Sequence, residues 1–272
     1  MTAPVLGAAQ VLDPRVAAVE QNLLEQLDHF AAAPGMRRLA IEGVTAYSSN
    51  IAFPLFNAIG AATFADDPDV AVRTGEVVRR FIRHGMPFLW WPTPSSTSSA
   101  LEDTLLAHGL EAEEVTGMYA DLTDAVAVEA PVGARLVFDP PLRLFAEAMV
   151  EAFAMPGAIV DALAALTAAL PRRRLRNLLL LEHDRLLGCG SLYLTESPSG
   201  TVAGLYNIAT VEHVRGRGVG RALTALLLNL GRDLGATRAV LHATPMGRPV
   251  YRRLGFVDVC SMPQYLWLPP EA

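Results

Sequence analysis

The sequence predicts an α+β (mixed α/β) fold with two domains in tandem, each a mixed, mostly antiparallel sheet flanked by helices. Three observations predict it. Helix-period and strand-period segments alternate, yet several strands are joined by hairpin turns and not by helical crossovers. A stretch of small residues with one proline, Ala125 to Gly133, reads as a linker between residues 1–124 and 134–272. The halves also resemble each other. Leu105 to Leu110 and Val115 to Leu122 align without gaps, at an offset of 146 residues, with Tyr251 to Phe256 and Ser261 to Leu268.

In the first half, Pro14 to Pro34 carries Val16, Val19, Leu23, Leu27 and Phe30 on one helical stripe. A short strand is expected over Arg38 to Val44, a polar turn over Thr45 to Asn50, and an extended run over Ile51 to Phe64. Asp66-Asp-Pro68 begins a helix that ends at His84 with Gly85 as its cap. Then come a strand (Pro87 to Pro92), a helix (Ser99 to His108) and a strand to Leu122.

The second half reads as a strand (Ala134 to Phe138), helices broken at Pro156-Gly157, a hairpin (Asn177 to Thr195) and a turn (Glu196 to Gly200). A strand from Val202 to Val211 leads into a glycine-rich turn and a helix to about Leu234. A strand (Ala239 to Ala243), a short helix (Arg248 to Leu254) and two last strands close the chain.

Of 272 residues 51% are hydrophobic, so a large core is available and disorder is not expected. No apolar run reaches the roughly 18 to 20 residues of a membrane span. Met1-Thr-Ala-Pro4 lacks the layout of a signal peptide. A cytoplasmic protein with no membrane association is expected. The net charge of -6 argues against a nucleic-acid partner, although all 22 basic residues are arginine. Cys189 and Cys260 lie far apart without ligand spacing, so neither a disulfide framework nor a metal is expected.

The stretch that carries chemistry is Val214 to Arg221, Val-Arg-Gly-Arg-Gly-Val-Gly-Arg. A strand that turns through three glycines into a helix leaves backbone N–H groups pointing outward at the positive end of the helix dipole. That arrangement suits a phosphate or pyrophosphate.

This stretch resembles the phosphate-binding signature of the GNAT superfamily of acyl-CoA-dependent N-acyltransferases, (Gln/Arg)-x-x-Gly-x-(Gly/Ala), in Arg215-Gly216-Arg217-Gly218-Val219-Gly220. A second family signature, a Tyr shortly before Leu-Gly-Phe, is resembled by Tyr251-Arg-Arg-Leu-Gly255-Phe256. The resemblance spans roughly residues 134 to 268. It implies an acetyl-CoA or other short acyl-CoA co-substrate held by Ala209, Thr210 and Val211 of the strand and by Arg215, Gly216, Arg217, Gly218, Val219, Gly220 and Arg221 of the turn. It also implies an N-acetyltransferase acting by direct attack of an amine, most simply a small-molecule amine, with Tyr251 as general acid. No nucleophile elbow appears, and Cys189 stays open as an alternative nucleophile.

The base is not singled out by the residues. Glu182 and Glu196 end strands, and Asn207 lies on the strand before the turn; Glu182 and Asn207 are the candidates carried forward. Strict alternation would put Asn207, Ala209 and Val211 on one face and Tyr206, Ile208 and Thr210 on the other. His213 stands at the entry to the turn, where the family often has a proline.

The first half lacks the glycine turn, and Leu105 stands where Tyr251 stands. It is expected to be a degenerate copy that walls the acceptor pocket. Two other readings stay open: a non-catalytic acyl-CoA-binding sensor, and a peptide or protein acetyltransferase. A homodimer is also open.

Overall fold

The computed structural model describes residues 12–197 and 200–270. The expected turn at 196–200 therefore contains two residues outside the described ones, and the N-terminal tetrapeptide lies outside them too. Seven helices and two mixed sheets make up the fold among the described residues.

The first half runs α1 (Pro14–Ala31), β1 (Arg37–Arg38), β2 (Val44–Ser48), β3 (Ala58–Ala62), α2 (Val70–His84), β4 (Phe88–Trp90), α3 (Ser99–Ala107), β5 (Glu111–Glu113) and β6 (Thr116–Asp121). The second runs β7 (Ala134–Phe138), α4 (Leu142–Ala152), α5 (Val160–Ala168), β8 (Leu175–Glu182), β9 (Arg185–Ser197), β10 (Gly200–Thr210), α6 (Val219–Asp233), β11 (Ala236–Ala243), α7 (Arg248–Arg252), β12 (Val257–Ser261) and β13 (Gln264–Trp267).

Local chemistry accounts for most boundaries. Asp13 caps α1 by accepting from the Arg15 backbone N–H at 2.9 Å, with Pro14 in the first turn. Gly85 closes α2 in the left-handed conformation, φ 74°. Thr45 to Asn50 is not the expected turn: most of it belongs to β2. Its Ala46, Tyr47 and Ser48 are buried, so packing overrides polar composition there. Pro54 divides the expected extended run with a single 3₁₀ turn, Pro54–Phe56, ahead of β3.

The strand order shows how the halves are joined. The first sheet is β1-β2-β3-β4-β13-β5 and the second, read from its far edge, is β7-β8-β9-β10-β11-β6-β12. Each sheet has one internal parallel pair, β3 with β4 and β10 with β11. Beside it, each receives the last strand of the other half. β13 pairs antiparallel with β4 and β5, and β6 pairs antiparallel with β11 and β12. The exchange is reciprocal, and it involves the two segments that align at the offset of 146 residues. The expected linker at 125–133 thus connects β6 to β7, two strands of the same sheet.

α1 lies between the sheets. Its Val19, Leu23 and Leu27 share a core with Tyr47 and Ala58 of the first sheet and with Tyr119, Val202 and Val240 of the second. α6 covers the opposite face of the second sheet with Val219, Leu223 and Leu227, whose side chains approach Gly188 and Gly190 of β9. Among the described residues no helix is long and apolar enough to cross a membrane.

Candidate active site

The site is built where β10 leaves its parallel partner. The ladder between β10 and β11 runs from Thr201 to Leu205 on β10 and ends at Leu241 on β11. Against β9, two β10 residues, Asn207 and Ile208, stand between the pairs Tyr206↔Ser191 and Ala209↔Cys189. This is a β-bulge, and Asn207 takes a left-handed conformation within it, φ 55°. Ala209 and Thr210 resume pairing with β9 only, so their other backbone edge faces the gap that opens toward β11.

The bulge breaks the alternation expected from sequence. Tyr206 and Asn207 project to the same side. The Tyr206 hydroxyl donates to Asn22 Oδ1 at 2.6 Å, and the Asn207 amide donates to Ser191 Oγ at 3.0 Å. An extra residue restores the register after Ala209, which is how two neighbours come to share a face.

Beyond β10 the chain makes one 3₁₀ turn, Glu212–Val214, and then the glycine turn. Gly216 and Gly218 both have φ 81°, and open space lies where a Cβ would stand, so backbone conformation is what requires glycine. Gly218 is the N-cap of α6 and supplies no side-chain acceptor. Among the described residues, the N–H groups of Gly216, Gly218, Val219, Gly220 and Arg221 donate to no backbone carbonyl. Five donors at the start of a helix of 15 residues form a cradle suited to a pyrophosphate.

The arginines divide the work. Arg217 donates to Glu182 at 2.8 Å and Arg221 to Glu129 at 2.9 Å. Arg215 is exposed and has no partner among the described residues. Hydrogen bonding to Arg217 holds the Glu182 carboxyl below its ordinary range.

Tyr251 lies on α7, the short helix that follows β11 and packs near α6. Arg248 and Arg252 both donate to Asp258 of β12, whose carboxyl they pull down to about 2, and this clamp fixes the short helix. The Tyr251 ring packs edge-on against Phe256, with centroids 6.1 Å apart. Its hydroxyl has no hydrogen-bond partner among the described residues, and burial pushes the phenol up to about 12.

The expected site residues fall into two groups. Ala209, Thr210 and Val211 form the strand end, and Arg215 to Arg221 form the cradle beside it. Asn207 is at the bulge. Glu182 sits apart: it is five residues along β8 from Asn177, the residue level with the bulge, or about 16 Å at ~3.3 Å per residue. Glu196 is at the far end of the β9–β10 hairpin, opposite Thr201. Cys189 is fully buried, gives its weak hydrogen bond to the Asn207 carbonyl at 3.5 Å, and is pushed up to about 12 by desolvation. A thiol so placed has the features of a structural cysteine and not of a nucleophile.

Two neighbours of the site were not singled out from sequence. Asn22 of α1 reaches across to the second sheet, donating to Thr195 Oγ1 at 2.8 Å and accepting from Tyr206. It fits because Gly204 has no side chain: a Cβ there would lie 1.8 Å from Asn22 Oδ1. Ser191, the partner of Asn207, is the second. A polar residue inside an otherwise apolar stripe was the available signal for both.

The fold and the site define, among the described residues, a tandem α+β protein with a glycine-turned strand–turn–helix next to a splayed pair of parallel strands. Residues 144–256 match the acetyltransferase (GNAT) family. That match lies within the second half, and the two-half fold is shared with solved structures. A GCN5-related N-acetyltransferase from Kribbella flavida has the same fold, with TM-score 0.68 at 14% identity, covering 96% of this chain and 97% of its own. A tandem GNAT protein from the clavulanic acid biosynthesis pathway aligns over 97% of this chain and 98% of its own, at TM-score 0.58 and 14% identity. A GCN5-related N-acetyltransferase from Sphaerobacter thermophilus aligns over 82% and 76%, at TM-score 0.57 and 18% identity. At these identities the likeness is one of fold. No curated protein matches the sequence.

Proposed function

We propose that the chain is an acyl-CoA-dependent N-acyltransferase that moves an acetyl or similar short acyl group to the amine of a small molecule by direct attack. The single observation that carries this reading is the cradle of five unpaired N–H groups from Gly216 to Arg221, set beside the free backbone edge of Ala209 and Thr210. An acyl-CoA carries a pyrophosphate for the first and an amide-bearing arm for the second. Adding such an arm as a strand costs the sheet nothing, because that edge has no partner.

In this reading Arg215 meets the phosphates, and Glu182 orients Arg217 at the rim of the cradle and takes no part in proton transfer. A neutral amine attacks the thioester carbonyl; the carbon–sulfur bond breaks, the amine loses one proton and the thiolate gains one. Tyr251 supplies the proton to the thiolate. The Tyr251 O–H is protonated at every physiological pH, has no competing partner among the described residues, and lies on the helix that follows β11. The amine's own proton leaves through water. α1 covers the face on which Tyr206 and Asn207 project, which supports a confined small acceptor over a protein tail.

The test is thermal. Acetyl-CoA should raise the melting temperature of the wild-type protein, and Gly218→Glu, which fills the cradle with a carboxylate and strains a left-handed position, should remove that rise. Absence of any rise with the wild type would rule the cofactor out.

A further inference from the structure

The face of the second sheet that carries Asn207 is covered by two different structures, α1 toward Gly204 and α4 toward Cys189. Between them a polar row crosses the sheet: Asn177 on β8, Ser191 on β9 and Asn207 on β10. Asn177 and Ser191 are directly opposite each other, and Ser191 accepts from Asn207 at 3.0 Å. The apolar rows on either side are Leu175 with Tyr193, and Leu179 with Cys189.

Asn177 is 3% exposed and its Oδ1 is buried with no hydrogen-bond partner among the described residues. Its backbone N–H is occupied by Asp139, so the side chain is not capping its own strand. A buried carboxamide oxygen left without a donor costs about 1–3 kcal/mol, and folded proteins retain such groups mainly where a water or ligand completes them.

We infer that Asn177, Ser191 and Asn207 form the seat of the accepting nitrogen, with Asn177 Oδ1 taking one N–H of a primary amine while the nitrogen lone pair faces the bulge. This deepens the acyl-transfer reading and rests on it. Asn177 is then a positioning residue, since a carboxamide cannot take up the amine's proton. Exposures of 3% at Asn177 and 1% at Ser191 favour an unbranched CH₂–NH₂ terminus over a secondary amine.

The experiment uses Asn177→Leu, of similar volume, and reads stability and kinetics separately. Acetyl-CoA turnover is followed by thiol release with n-butylamine, tyramine, spermidine, glucosamine and, as the secondary-amine control, morpholine. The variant should melt at or above the wild-type temperature, because an unsatisfied polar group has been removed, and should keep the acetyl-CoA-induced rise. With the best primary amine its KM for the amine should increase about tenfold, with KM for acetyl-CoA unchanged. A lower melting temperature would mean that Asn177 is a structural residue, and an unchanged amine KM would mean that the nitrogen binds elsewhere; either overturns the seat. Wild-type preference for morpholine, or failure to use any of the primary amines, overturns it as well. Loss of the acetyl-CoA rise in the wild type would be a failure of the donor assignment and not of the seat.

Discussion

Tyr251 is a half-buried phenol whose hydroxyl has no protein partner among the described residues. Burial raises its pKa to about 12, so the proton stays available well above neutrality. Tyr251→Phe is therefore expected to lower kcat roughly 100-fold while leaving acetyl-CoA affinity nearly unchanged. In the wild type no loss of rate assignable to this tyrosine should occur below about pH 10; a limb that vanishes in Tyr251→Phe at pH 8 or 9 would contradict the assignment. His242 makes a different pH prediction. Desolvation lowers its pKa to about 4, and its buried Nε2 has no hydrogen-bond partner among the described residues. Between about pH 6.5 and pH 4 the unfolded chain binds a proton that the native state refuses, so stability falls with falling pH in that window. Replacement by Leu should flatten the melting temperature across it, and a slope equal to that of the wild type would remove His242 from the account. Both tyrosine and histidine were visible in the sequence. What set their chemistry was burial, which the sequence did not state.

At the scale of elements, the strand–turn–helix from β10 to α6 was legible in full, because three glycines, a strand-like run and helical spacing all point the same way. The bulge at Asn207 was not. Nothing in Tyr206-Asn207-Ile208 announces an extra residue, and strict alternation put Tyr206 and Asn207 on opposite faces; only the pairing with β9 reveals it. The clamp on α7 was equally hidden, since Arg248, Arg252 and Asp258 become neighbours only when the turn at Gly255 brings β12 back along the helix. That clamp should matter to catalysis more than to binding. Asp258→Asn would leave Arg252 without its counter-charge and Arg248 with only the more distant Glu114, loosening the helix that carries Tyr251. We expect kcat to fall several-fold with little change in acetyl-CoA affinity; equal losses in both would show that α7 serves the donor site as a whole.

For the whole molecule, the internal offset of 146 residues detected related segments but not where they go. β6 and β13 have changed places between sheets, a feature of long-range pairing that no local pattern encodes. Residues 134–272 alone would lack β6 between β11 and β12, so that fragment should be insoluble or molten, and adding residues 1–124 in trans should rescue it. A well-folded isolated fragment would show the exchange to be dispensable. The exchange also explains how a half without a phosphate cradle stays tied to the site. In the first half the matching helix α2 begins after Asp66, Asp67 and Asp69, whose negative charge disfavours an anion there. The account thus allows one donor site per chain, and calorimetric titration with acetyl-CoA tests this most directly. It predicts one molecule bound per chain, and none for Gly218→Glu; two per chain, or one retained in the variant, would contradict it.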